Sequence, residues 1–343
     1  HVSSRRQRQM CIRDRLNRLL EDKAFLNFVK DNLNKSTSKF LSIPGSSFLV
    51  LQLFKNKVKN IKTVDEFQVQ VKLVLQSIVK QTIENFSTNV SEILEPNKPY
   101  LFISNHRDIT LDSALCNHAI DSIGLETTYN AIGDNLVSVN WMGDLLRLNK
   151  SFVISRSGES KKDIYSNLSR ASKFIKEKLE NGSHVWIAQK QGRSKDGLDK
   201  TDPAVLKMLH IALRKEMSFE HMVSKYNIVP CSISYEIDPL AKEKAQQLND
   251  SASKKDNEDI THIFKGVMLD KGNVALNFGK PIKGEFSAEE MAKEIDDVIL
   301  GNYKLWDTNI YAHKFLYETV KDDEYPNASA YFNNLRSVMT NKE

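Results

Sequence analysis

The sequence is poor in cysteine. Only Cys11, Cys116 and Cys231 occur among its 343 residues, and the three stand in unrelated contexts. Such a small and odd number argues against the disulfide framework of many secreted proteins and favours a reducing, cytoplasmic compartment. Metal-ligand spacing is also missing, because Cys116 and His118 have no paired ligands beside them, and no metal site is predicted.

A long uninterrupted apolar run is absent. The longest apolar stretch, from Phe40 to Phe54, is broken by Pro44, Gly45 and three serines. It is shorter than the ~20 predominantly apolar residues that a membrane-spanning helix needs. We expect this stretch to be buried in a helical core, and a position on a membrane surface is the alternative.

The first sixteen residues, HVSSRRQRQMCIRDRL, contain no apolar core of a secretory signal. They resemble a translated sequencing adapter, so this segment is predicted to be a non-native, disordered leader. On this interpretation Cys11 and the arginines around it carry no function.

A strongly basic charge is absent as well. The net charge of +5 is mild, and no dense stripe of Arg and Lys alternates with aromatic residues. Nucleic acid is therefore not expected as a partner. The charge is compatible with anionic substrates and with an anionic lipid surface.

The chain is organised around a strand that ends in a polar cluster. The apolar run Tyr100–Ile103 predicts a buried strand, and a helical pattern resumes at Leu111. His106 lies between them, at the carboxyl end of the strand, where sites in open α/β sheets collect. With the nearby carboxylates of Asp108 and Asp112, it has the parts of an oriented general base.

Further strands alternate with helices along the chain. Apolar runs predict strands at Phe152–Ile154, His184–Gln189 and Asn227–Tyr235, with helical patterns between them. This alternation is typical of an α/β fold in which helices cover a mostly parallel or mixed sheet. A helical N-terminal region is predicted to precede it.

We predict four segments along the chain: a leader at 1–16, a helical region at 17–95, an α/β domain at 96–300 and a C-terminal helical extension at 301–343. Pro96 and Pro99 end any helix at the second boundary. Within the α/β domain, Val267–Leu269 and Val274–Phe278 are interpreted as a hairpin around an Asp-Lys-Gly-Asn turn.

Four strand-end stretches together resemble the four sequence blocks of the glycerolipid acyltransferase superfamily, which includes glycerol-3-phosphate and lysophosphatidate acyltransferases. The resemblance covers about residues 96–285. The four stretches are Asn105–Asp112, Phe152–Arg156, Gln191–Arg193 and Ile228–Pro230.

The sequence departs from the family pattern at two points. Five residues separate His106 from Asp112, one more than the family norm, so either the loop bulges or Asp108 takes the orienting role. Asp112 is preferred because Leu111–Leu115 matches how the family's Asp enters its helix. The third block usually has an acidic residue where this chain has Gln191.

The resemblance implies transfer of a fatty acyl group to the hydroxyl of glycerol 3-phosphate or lysophosphatidate, in phospholipid biosynthesis. Acyl-CoA or acyl-carrier protein would be the co-substrate, and no cofactor is expected. His106 would be the general base and Asp112 would fix its tautomer. The acceptor phosphate would be bound by Arg156, Gly192, Arg193 and Lys195, with possible support from Asn105, Asp108 and Gln191.

Two alternatives remain open at this point. The chain could be a catalytically inactive, lipid-binding member of the fold, or a hydrolase in which His106 activates water to cleave a thioester or a lysolipid. Because the product of the implied reaction is a lipid, we expect the protein to be cytoplasmic and peripheral on the inner face of the membrane.

Overall fold

The computed structural model describes residues 2–27, 56, 58–249 and 258–337. The stretch from Phe40 to Phe54 lies outside the described residues. The chain divides into two compact units. One comprises residues up to Val74 together with Ile132–Val153, and the other comprises Leu75–Ala131 and the residues from Ile154 onward. The four predicted segment boundaries stay predictions.

The helices of the described residues cover much of the chain. They are α1 (Val2–Glu21), α2 (Val64–Thr82), α3 (Val90–Ile93), α4 (Leu111–Ser122), α5 (Asn140–Leu148), α6 (Lys161–Glu180), α7 (Pro203–His210), α8 (Phe219–Lys225), α9 (Ala241–Asn249), α10 (Glu258–Met268), α11 (Ala288–Gly301), α12 (Asp307–Tyr317) and α13 (Pro326–Ser337). No helix among these residues is long and apolar enough to cross a bilayer.

The strands are short, and most are buried. They are β1 (Phe86–Thr88), β2 (Tyr100–Ser104), β3 (Tyr129–Gly133), β4 (Ser151–Ile154), β5 (Val185–Ala188), β6 (Asn227–Tyr235) and β7 (Val274–Phe278).

In the second unit, strands lie side by side in the order β1, β7, β6, β2, β5, β3. β2 pairs in parallel with β5 and β6, and β3 pairs in parallel with β5. β7 is antiparallel to β6 and parallel to β1. The predicted fold class, α/β with a mixed and mostly parallel sheet covered by helices, is therefore confirmed.

The central strands are apolar because both faces of the sheet are covered. Every residue of β2 is buried, and Leu111, Leu115 and Ala119 of α4 belong to the same hydrophobic core cluster as Tyr100 and Phe102 of β2. Since α4 begins directly after the β2 loop, this packing fixes the position of the polar residues between them. The end of β2 is thereby held as a rigid platform.

The described residues from Val2 to Glu21, which include most of the predicted leader, form α1. Ile12, Leu16 and Leu19 recur at helical spacing and are buried. Arg18 donates two hydrogen bonds of 2.8 Å to the carboxylate of Asp144 on α5. The leader, including the non-native origin of the segment, stays a prediction.

The predicted hairpin is only half correct. β7 is a strand, but Val267 and Met268 end helix α10 instead of forming a strand. His262, Ile263 and Gly266 are the buried positions of this helix. Their spacing of three and four residues fits one helical face. The apolar run Val267–Leu269 alone is compatible with a strand. Burial of one helical face of the preceding residues explains why the segment is helical instead.

Candidate active site

The His106 ring contacts the Asp112 carboxylate. His106 follows β2, Asp112 lies in the first turn of α4, and His106 Nδ1 is 2.8 Å from Asp112 Oδ2. The intervening loop is closed by Asp108, whose Oδ1 accepts hydrogen bonds from the backbone amides of Thr110 and Leu111 at 2.9 and 2.8 Å. The loop therefore absorbs the additional residue between His106 and Asp112 without separating their side chains.

Asp112 is buried and fully engaged. Besides His106, its Oδ2 accepts from the backbone amides of Arg107 and Asp108 at 2.6 and 3.0 Å. Its Oδ1 accepts from the Tyr235 hydroxyl at 2.8 Å. Burial raises the pKa of Tyr235 well above its ordinary value, so this hydroxyl remains a donor. These bonds fix the plane of the carboxylate relative to the histidine ring.

Asp108 has a different environment. Its Oδ1 caps α4, while its Oδ2 is buried and has no hydrogen-bond partner among the described residues. Burial, followed by the neighbouring Asp112 carboxylate, raises the pKa of Asp108. Between the two carboxylates that the sequence leaves open, the structure places Asp112 against the imidazole.

Asn105 joins the end of β2 to β6. Its Oδ1 accepts from Ile233 N at 2.8 Å, and its Nδ2 donates to Ile233 O at 3.0 Å and to Asp199 Oδ2 at 3.1 Å. The same Asp199 oxygen forms a buried ion pair with Arg107 at 2.5 Å. The guanidinium of Arg107 also lies over the Tyr303 ring, 5.5 Å from its centre. These contacts fix the residues on both sides of His106.

The basic loop after β5 lies against the histidine loop. Ser194 N donates a hydrogen bond of 2.7 Å to His106 O, which brings the neighbouring Arg193 to this edge of the sheet. Gly192 has a φ of +77°, a left-handed conformation that favours glycine. Lys195 and Gln191 are exposed.

The two predicted arginines are each bonded to a neighbour. Arg156 Nη1 donates to Gln191 Oε1 at 3.3 Å and lies 3.6 Å from Asp202. Arg193 Nη2 lies 3.1 Å from His262 Nδ1. Gln191 thus connects Arg156 to the loop that carries Arg193, in spite of its missing charge.

The His106 ring is shielded on one side but reaches solvent. Trp186 on β5 lies edge-on to it, with ring centres 5.9 Å apart. The His106 side chain keeps 13% of its surface exposed. A small molecule can therefore approach the ring, while the indole lowers the polarity of its surroundings.

Sequence reasoning missed four residues of this region: Arg107, Asp199, Tyr235 and His262. Tyr235 could have drawn attention because it ends β6, which is parallel to β2, and the carboxyl ends of parallel strands meet at one edge of the sheet. Asp199 and His262 carry no such signal, because they lie on a loop and on a helix that reach Arg107 and Arg193 only through tertiary packing.

Comparison with known proteins gives the class. Residues 78–234 match the family model described as Acyltransferase. The matched segment contains β2, α4, β5 and all of β6 except its last residue, and it is similar to the acyltransferase family. No curated protein sequence matches the chain.

Solved structures give weak likenesses. The 1-acyl-sn-glycerophosphate (LPA) acyltransferase PlsC from Thermotoga maritima has 14% identity and a TM-score of 0.41, covering 92% of this chain and 100% of that one. The signal recognition particle receptor FtsY from Elizabethkingia anophelis, in complex with GDP, has 11% identity and a TM-score of 0.24, covering 84% and 92%. At these scores neither likeness carries an argument, so the class depends on the family match.

Proposed function

We propose that this protein is a glycerolipid O-acyltransferase. It moves a fatty acyl group from acyl-CoA or acyl-carrier protein to the hydroxyl of glycerol 3-phosphate or of lysophosphatidate. The observation that carries the proposal is the 2.8 Å contact between His106 Nδ1 and Asp112 Oδ2 within the segment that is similar to the acyltransferase family.

His106 acts as the general base. A hydroxyl is a poor nucleophile near neutral pH, and a neutral imidazole must take its proton as it attacks. Because Asp112 accepts only, the proton of the neutral ring lies on Nδ1, and Nε2 has the free lone pair. Asp112 also stabilises the imidazolium that forms.

The reaction balances without a covalent enzyme intermediate. The acceptor oxygen bonds to the thioester carbonyl carbon while its proton passes to His106 Nε2. The tetrahedral intermediate then collapses, and the carbon–sulfur bond breaks. The leaving thiolate takes the proton from the imidazolium, which returns His106 to its neutral state.

The acceptor phosphate is bound by Arg156, Arg193 and Lys195, and Gly192 allows close approach of the backbone. Arg193 supports this role because its Nη1 is buried and has no hydrogen-bond partner among the described residues. A charge-assisted hydrogen bond contributes roughly 1.5–3 kcal/mol. Loss of one arginine therefore raises the acceptor KM more than it lowers kcat.

Three residues support the site indirectly. Asn105 ties the histidine loop to β6, Asp108 caps α4, and Gln191 holds Arg156 through its side-chain oxygen. The protein acts from the cytoplasm at the inner face of the membrane, because the product of the proposed reaction is a lipid.

Product analysis tests the proposal. The purified protein is incubated with labelled acyl-CoA and, separately, acyl-carrier protein, with glycerol 3-phosphate, lysophosphatidate, glycerol or no acceptor. We expect acylated product with a phosphate-bearing acceptor and little with glycerol, which offers hydroxyls but no phosphate. Free fatty acid formed without acceptor would indicate the hydrolase, and lipid binding without product would indicate the inactive member of the fold.

A further inference from the structure

Helix α10 touches the proposed site at two points on one face. His262 and Gly266 are separated by one helical turn and are both buried. Gly266 lies so close to Asp108 Oδ2 that a Cβ at this position would overlap that oxygen. His262 lies against Arg193, and only 6% of its surface is exposed. The helix is therefore docked against both the histidine loop and the basic loop.

In the hydrogen bond between Arg193 and His262, the donor and the acceptor can be assigned. A guanidinium has only donors, so in the bond from Arg193 Nη2 to His262 Nδ1 the imidazole must accept. The ring proton is then on Nε2, which lies 3.8 Å from Glu258 Oε1. The imidazole must be neutral, because a protonated ring has no lone pair for Arg193.

We propose that His262 is a positioning residue for acceptor binding: as a neutral imidazole it holds one amino group of Arg193, so that the rest of the guanidinium meets the acceptor phosphate. The inference rests on the proposed function. Arg193 Nη1, buried and without a hydrogen bond among the described residues, is the group that this orientation leaves for an anion.

Acid pH should weaken acceptor binding through this contact. The charged groups that face His262 are Arg193, Glu258, Glu243 and Asp259. Burial and then Arg193 lower the pKa of His262, against the opposing effect of the carboxylates. The ring is therefore neutral at pH 7, and protonation at acid pH replaces the hydrogen bond by repulsion between two cations.

Two substitutions at one position separate positioning from packing. His262→Leu fills the space without an acceptor, and His262→Asn keeps an acceptor oxygen near the position of Nδ1. We expect His262→Leu to raise the acceptor KM about three- to tenfold, with kcat and the donor KM unchanged, and His262→Asn to restore most of the binding. His210→Leu, on α7, is the matched control and should leave the acceptor KM unchanged.

The pH dependence gives an independent reading. The ratio of the acceptor KM of the wild type to that of His262→Asn cancels the titration of the acceptor phosphate and of His106. We expect this ratio to rise as pH falls through the titration of His262. A ratio that stays constant from neutral pH down to the lowest pH at which both proteins stay folded would overturn the inference.

A double variant tests whether His262 acts through Arg193. If it does, His262→Leu combined with Arg193→Gln should bind the acceptor no more weakly than Arg193→Gln alone. Additive losses would show an action independent of Arg193 and would contradict the inference. If the wild type forms no acceptor-dependent product, the proposed function fails; if it does and His262→Leu keeps the wild-type acceptor KM, only the role of His262 fails.

Discussion

At the scale of single residues, the hydrogen bonds of Asp112 hold its carboxylate in a fixed orientation against the His106 ring. Two backbone amides and the Tyr235 hydroxyl donate to its carboxylate in addition to the His106 ring. These donors stabilise the ionised carboxylate inside the protein, where a lone charge would be costly. A carboxylate held in this orientation stabilises the imidazolium that forms when His106 takes a proton.

Asp112→Asn tests this function of the charge. The amide can still accept from the loop and from His106, but it no longer stabilises the imidazolium. We expect kcat to fall about 10²-fold or more, with the acceptor KM little changed. Steady-state kinetics with both substrates varied measures the two effects separately.

Asp108→Asn is the matched control for that variant. The amide oxygen can still accept from the backbone amides of Thr110 and Leu111, so the start of α4 keeps its hydrogen bonds. We expect kcat to stay within about threefold of the wild type. A large loss here, with activity retained in Asp112→Asn, would assign the orienting role to Asp108 instead.

At the scale of elements, helix α10 depends on the absence of a side chain at Gly266. The Asp108 carboxylate faces this glycine and is pinned by its bonds to Thr110 and Leu111. It cannot move aside without breaking the cap of α4. Asp108 Oδ2 therefore limits how closely α10 can pack against the histidine loop.

Gly266→Ala should destabilise the protein by about 1–3 kcal/mol, the usual cost of overpacking. Gly301→Ala is the control, since a Cβ there meets nothing within 4 Å and alanine is the better helix former. Urea denaturation of both variants measures the difference. Equal stabilities would show that α10 is not packed as closely as described.

The turn between α10 and β7 contains a buried lysine. Lys271 is 0% exposed, and its amine donates to Thr82 Oγ1 at 3.1 Å, to Val267 O at 3.0 Å and to Leu269 O. Its partners are neutral oxygens, and burial lowers the pKa of Lys271 to about 8. The folded state therefore binds this proton more weakly than the unfolded state does.

Stability should consequently rise with pH above about pH 8 through Lys271. Between the folded pKa and the ordinary value of 10.5, the unfolded state binds more protons, and the free energy of unfolding gains at most about 1.4 kcal/mol per pH unit. We expect the stability difference between wild type and Lys271→Met to grow in favour of the wild type from pH 8 to pH 10. The exposed Lys280→Met should show a flat difference, and a flat curve for Lys271→Met would contradict the burial.

At the scale of the whole molecule, the sequence predicts the strands that appear as local apolar runs. β2 and β5 were predictable because both faces of each strand are covered, which makes them nearly continuous apolar runs. β6 was predictable from the shorter apolar run Ile228–Cys231 at its start. β1 and β3 were not, because each is short and only partly buried.

Only part of the proposed site could likewise be predicted from local sequence. Asn105, His106 and Asp112 are close in sequence and follow one strand, so their proximity could be predicted. The contacts of Tyr235 and His262 join segments more than sixty residues apart. Such pairs are set by the packing of β6 and α10, and no local pattern tells which distant residues will meet.

The most direct test of the account is the turnover of His106→Ala. Acceptor-dependent acyl transfer is measured at saturating donor and acceptor, with thermal unfolding and acceptor binding of the variant as controls for an intact fold. The account predicts that kcat falls about 10²- to 10⁴-fold while the acceptor still binds. Turnover close to that of the wild type would contradict His106 as the general base.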